Sequence, residues 1–207
     1  MCIWIKHYME MIFDLRKHLD IVWRISEQVS VETIGNNEVI SAMLFATINH
    51  CDAIQVLIQQ RNIASTYALV RPTIECVMRS AWLIHCASEL EASRALTKDN
   101  WPPIWKCIEL VEEKTEQTKV FSVMWNNIKD HAHDFTHGGI QLARRQIAPN
   151  GIITPNVSDD EIKLFLRLSA VVSIFALGEL IELSNDARAE PLYEKLVNQT
   201  HQALFEI

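Results

Sequence analysis

Glycine and proline are scarce in this chain of 207 residues, which contains 5 Gly and 6 Pro. An all-β fold needs many tight turns, and these two residues supply the backbone conformations of such turns. Their scarcity argues against a fold built from many short strands. Hydrophobic residues make up 49% and charged residues 22% of the chain, a composition typical of globular proteins. The sequence predicts an all-α protein in which residues 1–207 form a single domain.

Cysteine pairs and an excess of basic residues are also missing. The 5 cysteines include no C-x-x-C pair, and a chain with this pattern favours a reducing compartment such as the cytoplasm. Acidic residues outnumber basic ones by 26 to 19, which gives a formal net charge of −7. This acidity disfavours extended binding along a nucleic-acid backbone, because each phosphate contact needs a Lys or Arg. A local basic patch at Arg144 and Arg145 remains compatible with RNA.

No hydrophobic run is long enough to predict a membrane span. The most apolar segment, residues 164–183, is interrupted by Arg167, Glu179 and Glu182. Its uncharged part, residues 168–178, is shorter than the roughly 20 residues that cross a bilayer. We expect a central core helix here and no membrane partner. The N-terminal segment resembles no secretory signal, so we expect a cytoplasmic protein.

Apolar residues recur at helical spacing along most of the chain and predict a bundle of six or seven helices. The predicted ranges are residues 8–29, 38–61, 64–90, 104–116, 120–137 and 158–183, followed by a last helix that reaches the C-terminus. Pro72 lies within the third range, where it predicts a kink or the true start of that helix. Ser158 and Glu161 match a capping box at the start of the apolar helix.

Residues 126–139, NNIKDHAHDFTHGG, are the most informative segment. Four polar residues at positions i, i+3, i+4 and i+7 share one face of the predicted helix: Asp130, His133, Asp134 and His137. The opposite stripe is apolar, so two patterns agree on the helix. A face of carboxylates and imidazoles is able to hold a metal, to transfer protons or to bind phosphate, and it is equally compatible with a plain solvated surface.

A second charged pattern lies in the third helix, where Arg71, Glu75 and Arg79 are spaced four residues apart. Residues 67–87 contain few other charges, so we expect these side chains to be partly buried and to need partners. The Asp and His face of residues 120–137 is a suitable partner. If the two helices meet, Arg71, Glu75, Asp134 and His137 form one polar cluster inside the bundle.

Two short segments resemble the HEPN superfamily, which comprises small all-α bacterial domains common in defence systems and toxin modules. The first is Tyr67 to Glu75 (YALVRPTIE), which is similar to helices with an R-x-x-x-E pattern. The second is Asp134 to Gly139 (DFTHGG), which is similar to a helix end that carries a polar residue and a histidine before glycine. Together the two segments cover about a tenth of the chain.

This resemblance implies a metal-independent endoribonuclease that works as a homodimer with a composite site. An arginine would stabilise the phosphorane-like transition state, and a histidine would move protons at the attacking 2′-hydroxyl and the leaving oxygen. The candidate catalytic residues are Arg71, Glu75, His133, Asp134 and His137. RNA is the expected substrate, and neither a cofactor nor a metal is expected.

The family's R-x(4–6)-H motif has a literal match in Arg79 and His85. We expect these residues not to act together, because six residues along a helix place two side chains about 120° apart. Two other functions remain open. One is a non-catalytic helical module that dimerises or binds another protein. The other is a metal-dependent enzyme that uses the face of Asp130, His133, Asp134 and His137.

Overall fold

A computed structural model describes residues 6–32, 34–116, 119–184 and 186–205, without the side chains of residues 6–8 and 130–132. The described residues form nine helices and no β-strand: α1 (Lys6–Ser26), α2 (Asn37–Gln59), α3 (Ile63–His85), α4 (Glu89–Lys98), α5 (Ile104–Lys114), α6 (Val120–His137), α7 (Ile140–Arg144), α8 (Asp159–Ser184) and α9 (Glu190–Leu204). A single antiparallel bridge joins Ile147 and Ile153. The predicted all-α class is confirmed.

The predicted number of six or seven helices is too low for the described residues, because the sequence pattern did not reveal two short helices. The first is α4, which begins with a capping box between Ser88 and Glu91. The second is α7, whose five residues are too few to show a periodic apolar pattern. α3 begins at Ile63 and continues through Pro72, so the proline does not mark its start.

α8 occupies the centre of the bundle and packs against α1, α2, α3 and α9, while α3 also contacts α5 and α6. The predicted apolar stripe of α1 is buried, including Leu15, Leu19 and Val22. The capping box predicted at Ser158 and Glu161 is present. These contacts follow from the amphipathic pattern of each helix, because an apolar stripe is stable only when another element covers it.

α2 and α8 are long and apolar enough to cross a membrane, judged by length and composition alone. Core helices of soluble proteins have the same two properties. The apolar window of α8 is 67% buried within the bundle, and that of α2 is 39% buried.

Aromatic contacts hold α6 beside α3 and α8. Tyr67 of α3 lies between Phe135 of α6 and Phe165 of α8, with ring centroids 4.3 and 4.9 Å away. Phe121, near the start of α6, packs against Phe175 of α8 with centroids 4.9 Å apart. The apolar side of α6 therefore faces the bundle, which leaves its histidine face toward the surface.

Candidate functional site

Three charged side chains form a continuous ladder along one face of α3. Arg71 donates from Nε to Oε1 of Glu75 over 2.7 Å, and Nη2 of Arg79 lies 3.3 Å from Oε2 of the same carboxylate. The Glu75 side chain is only 16% exposed, and its two partners are 30% and 29% exposed. The prediction of partly buried charges is confirmed. Because both oxygens of Glu75 contact guanidinium groups, this carboxylate orients the two arginines.

The histidine face of α6 contacts the charged ladder at Arg71, the ladder residue nearest the N-terminus of α3. Nη1 of Arg71 lies 3.5 Å from Nδ1 of His133. The ring of His137, one turn further along α6, lies 4.5 Å from the ring of His133, measured between centroids. Both histidines are exposed. The structure therefore brings together Arg71, Glu75, Arg79, His133 and His137, which we call the α3–α6 site.

The carboxylate of Asp134 serves a neighbouring helix. Its Oδ2 accepts a hydrogen bond from the backbone N–H of Gln141 over 3.3 Å, within the first turn of α7. Gly139 makes this geometry possible, since a Cβ at that position would lie 2.5 Å from Cγ of Asp134. Among the described contacts, Asp134 makes none with Arg71 or Glu75, so it lies outside the cluster that the sequence suggested. The reason is that the chain turns at Gly138, which has φ +73°, and directs α7 toward Asp134.

A buried carboxylate fixes the other end of α6. Glu112 of α5 is 5% exposed and accepts the backbone N–H of Ser122 over 2.9 Å as well as its hydroxyl. The N-cap residue of α6, Lys119, makes no side-chain capping bond, so Glu112 satisfies an N–H group that a local cap would otherwise satisfy. Sequence reasoning missed this contact because its two residues lie in different helices.

A comparison with protein families matches residues 45–205 to a family of unknown function, DUF6988. The match covers more than three quarters of the chain. The chain belongs to this family. No curated protein and no solved structure matches it.

The matched range of DUF6988 includes every residue of the α3–α6 site, whereas α1 lies outside it. The family match therefore concerns the part of the fold that carries the charged ladder and the two histidines.

The two arginines of the expected basic patch, Arg144 and Arg145, lie in different environments. Arg144 is exposed, whereas Arg145 forms an ion pair with Glu161 over 2.6 Å and lies 5.7 Å above the ring of Tyr67. Tyr67 also donates its hydroxyl to Glu161 over 2.8 Å. Burial would raise the pKa of Glu161, but hydrogen bonds from Ser158 and Tyr67 hold it below its ordinary value.

Tyr67, Arg145 and Glu161 line a cavity of about 170 Å³, together with Ile128 and Phe135 from the apolar side of α6. Burial, together with the nearby Glu161 carboxylate, raises the pKa of the Tyr67 hydroxyl well above its ordinary value. Tyr67 is therefore neutral and holds the start of α8 to α3. Because Arg145 is committed to Glu161, it adds little to a phosphate-binding surface.

Two further predictions concern the Arg79–His85 motif match and Asp130. Arg79 and His85, the literal match to the HEPN motif, contact different partners, since Arg79 pairs with Glu75 and His85 pairs with Glu179. Their expected separation is confirmed. The side chain of Asp130, the fourth member of the proposed metal-binding face, lies outside the described residues.

Proposed function

We propose that this chain is a HEPN-like, metal-independent endoribonuclease of a bacterial defence or toxin–antitoxin system, which cleaves RNA at the α3–α6 site in the cytoplasm. One observation carries the proposal. Nη1 of Arg71 lies 3.5 Å from Nδ1 of the exposed His133. The ring centroids of His133 and His137 are 4.5 Å apart. An arginine beside two accessible imidazoles supplies the groups that RNA transesterification requires.

The reaction follows from these three groups. One imidazole, in its neutral form, takes the proton of the RNA 2′-hydroxyl as the oxygen attacks the adjacent phosphorus. The other, protonated, donates a proton to the 5′-oxygen as its bond to phosphorus breaks. The products are a 2′,3′-cyclic phosphate and a 5′-hydroxyl, and no oxidant or cofactor is consumed. Arg71 stabilises the charge that accumulates on the non-bridging oxygens of the transition state.

Glu75 and Arg79 act as positioning residues in this proposal. Glu75 holds the Arg71 side chain through a 2.7 Å hydrogen bond and so limits the rotamers of the guanidinium. Arg79 is held by Glu75 and lies 5.2 Å from the ring centroid of Trp101. Because the protein as a whole is acidic, the attraction for RNA is local, and we expect binding to weaken steeply as salt concentration rises.

A homodimer is part of the proposal, and an exposed apolar segment supports it. Four isoleucines that follow α6 are unusually exposed: Ile140 (61%), Ile147 (44%), Ile152 (59%) and Ile153 (76%). Exposed apolar side chains clustered within so short a segment favour a protein contact. The segment begins three residues after His137, so a second copy bound there would lie beside the α3–α6 site and complete it.

The same isoleucines favour the second candidate, a non-catalytic helical module that dimerises or binds another protein. The two candidates differ in what the histidines do. In the first, His133 and His137 perform chemistry. In the second, they are solvated surface residues whose replacement changes nothing.

The test is cleavage of 5′-labelled single-stranded RNA by the purified chain in EDTA. We expect products that end in a 2′,3′-cyclic phosphate, and no cleavage of RNA that carries 2′-O-methyl groups. His133→Ala and His137→Ala should each lower the rate by about 10²- to 10⁴-fold, the usual contribution of a general acid or base. His201→Ala is the matched control, because His201 is an exposed histidine on α9, away from the site.

Wild-type rates in both site variants would refute the assignment of the α3–α6 site. A wild-type protein that forms a stable dimer, yet cleaves no RNA in any metal-free buffer, would refute the ribonuclease and support the binding module. Light scattering of Ile153→Asp tests the dimer separately. The expected result is a monomer, and an unchanged mass would show that the isoleucine segment is not the interface.

A further inference from the structure

A second cluster of ligand-type side chains lies where the C-terminal end of α3 meets α8. Nε2 of His85 lies 2.8 Å from Oε2 of Glu179, and Nδ1 of the same ring lies 3.8 Å from Oε1 of Glu182. One ligand atom from each of the three residues lies within 4.8 Å of the other two. His85 is six residues beyond Arg79, the nearest member of the α3–α6 site along α3, or roughly 9 Å at the helical rise per residue. The cluster is distinct from that site because Arg79 contacts Glu75, whereas His85 contacts Glu179 and Glu182.

The burial of the three side chains is graded from the core to the surface. Glu179 is 5% exposed, His85 is 13% exposed and Glu182 is 60% exposed. Within the described part of the chain, Glu179 forms an ion pair with His85 and with no Lys or Arg. A carboxylate this deeply buried needs compensation by positive charge. A single imidazole supplies that charge only when it is protonated.

The donor set suits a metal ion better than an isolated ion pair. Glu179 and Glu182 are three residues apart on α8, so their carboxylates lie on one face of that helix. The exposed Glu182 leaves one side of the cluster open to water.

We propose that His85, Glu179 and Glu182 bind one divalent transition-metal ion of the Zn²⁺ type. Imidazole and carboxylate ligands bind Zn²⁺ at about 2.0 to 2.2 Å, and water completes the coordination on the open side. The three ligand atoms lie within 4.8 Å of one another, so side-chain rotations that aim one ring nitrogen and both carboxylates at the same ion are enough to form the site. The imidazole favours a transition metal over Mg²⁺ or Ca²⁺, which prefer ligand shells made of oxygen alone. The bound ion links the end of α3 to the central helix.

The experiment uses the full chain, stripped of metal and then titrated with ZnCl₂, MnCl₂ or MgCl₂ in separate samples. We expect one Zn²⁺ per chain after dialysis and a thermal midpoint that rises with Zn²⁺ and not with Mg²⁺. Replacement by Co²⁺ should give visible d–d absorption, which reports a histidine and oxygen ligand set directly. None of these readouts depends on RNA cleavage, so they remain informative whether or not the chain is a ribonuclease.

Glu182→Gln separates a metal site from a simple ion pair. In a simple pair, this exposed side chain contributes little. In a metal site it is a ligand, and its loss should weaken Zn²⁺ binding by at least about tenfold. Asp160→Asn is the matched control, since it removes one exposed carboxylate from the same helix, near its N-terminus. Equal Zn²⁺ affinity in the wild-type protein and Glu182→Gln would overturn the proposal, as would stoichiometric Mg²⁺ binding without Zn²⁺ binding.

Discussion

The same residue type has a structural role at the buried His18 and a candidate catalytic role at the exposed His133 and His137 of the α3–α6 site. His18 is 4% exposed, and its two ring nitrogens lie 2.8 Å from the hydroxyls of Thr200 and Ser173. Burial lowers the pKa of His18 to about 4. His133 and His137 are exposed and lie beside a guanidinium. Partners and burial, not residue type, separate the structural histidine from the candidate catalytic ones.

The contrast also shows why a cavity alone does not indicate a site. A cavity of about 460 Å³ lies between α1 and α9, and both His18 and Thr200 contribute to its lining. The imidazole there is engaged by hydroxyl groups at both nitrogens, so neither nitrogen is available to a ligand without breaking a buried hydrogen bond. At the α3–α6 site, by contrast, both imidazoles are exposed.

After the two histidines themselves, the largest effect that we expect concerns Arg71, whose guanidinium lies beside His133. Arg71→Ala should lower RNA cleavage by about 10²- to 10³-fold, because it removes the group that stabilises charge in the transition state. Single-turnover rates measured at saturating enzyme would show the loss. Arg71→Lys keeps the charge but loses the planar donor pattern, so its rate should lie between those of the wild type and Arg71→Ala.

Thermal unfolding provides the control for this variant. The Arg71–Glu75 pair is largely buried, but Glu75 keeps its contact with Arg79 in this variant, so we expect a loss of only about 1 kcal/mol. The midpoint of Arg71→Ala should therefore remain close to that of the wild type. A rate loss that accompanies a large fall in midpoint would point to misfolding instead of a missing catalytic group.

Acid should destabilise the protein through His18. Its pKa is 6.5 when exposed and about 4 when folded, so the unfolded chain binds more protons between these values. The free energy of unfolding should therefore fall as pH drops from 6.5 toward 4, by about 3 kcal/mol in total from this residue. Urea denaturation at several pH values measures the slope.

The variant His18→Asn tests the assignment of that slope. Asparagine retains hydrogen-bonding groups but does not titrate, so the variant should be less stable at pH 7 and should lose less stability as the pH falls. A slope equal to that of the wild type would mean that other groups cause the acid sensitivity. RNA cleavage at pH 7 should be unchanged in any fraction of the variant that remains folded.

The smallest effect concerns Asp134, which lies between the two histidines in sequence and yet serves a structural contact. Asp134→Ala removes the acceptor for the Gln141 N–H and should cost about 1 kcal/mol, the usual value of a lost cap. Asp134→Asn should recover most of it, since an amide oxygen also accepts this bond. A fall in RNA cleavage as large as that of His137→Ala, without any change in stability, would instead show that Asp134 takes part in chemistry.

The sequence alone predicted the all-α class, the bounds of α6 and the apolar stripes of the main helices. Each is a local property, because helical periodicity and the glycine after His137 act within a few residues of chain. The sequence left open whether the polar face of α3 would meet the histidine face of α6, because periodicity does not define how two helices pack. The structure brings them together, with Nη1 of Arg71 3.5 Å from Nδ1 of His133.

Only the tertiary structure decided which polar residues became partners. His85 and Glu179 are 94 residues apart in the chain, and no spacing rule connects them. Asp134 was assigned by its spacing to the histidine face, but the turn at Gly138 placed the backbone of α7 within its reach. Helix propensity and periodicity act along the chain, whereas hydrogen bonds and ion pairs between helices depend on how the chain turns between them.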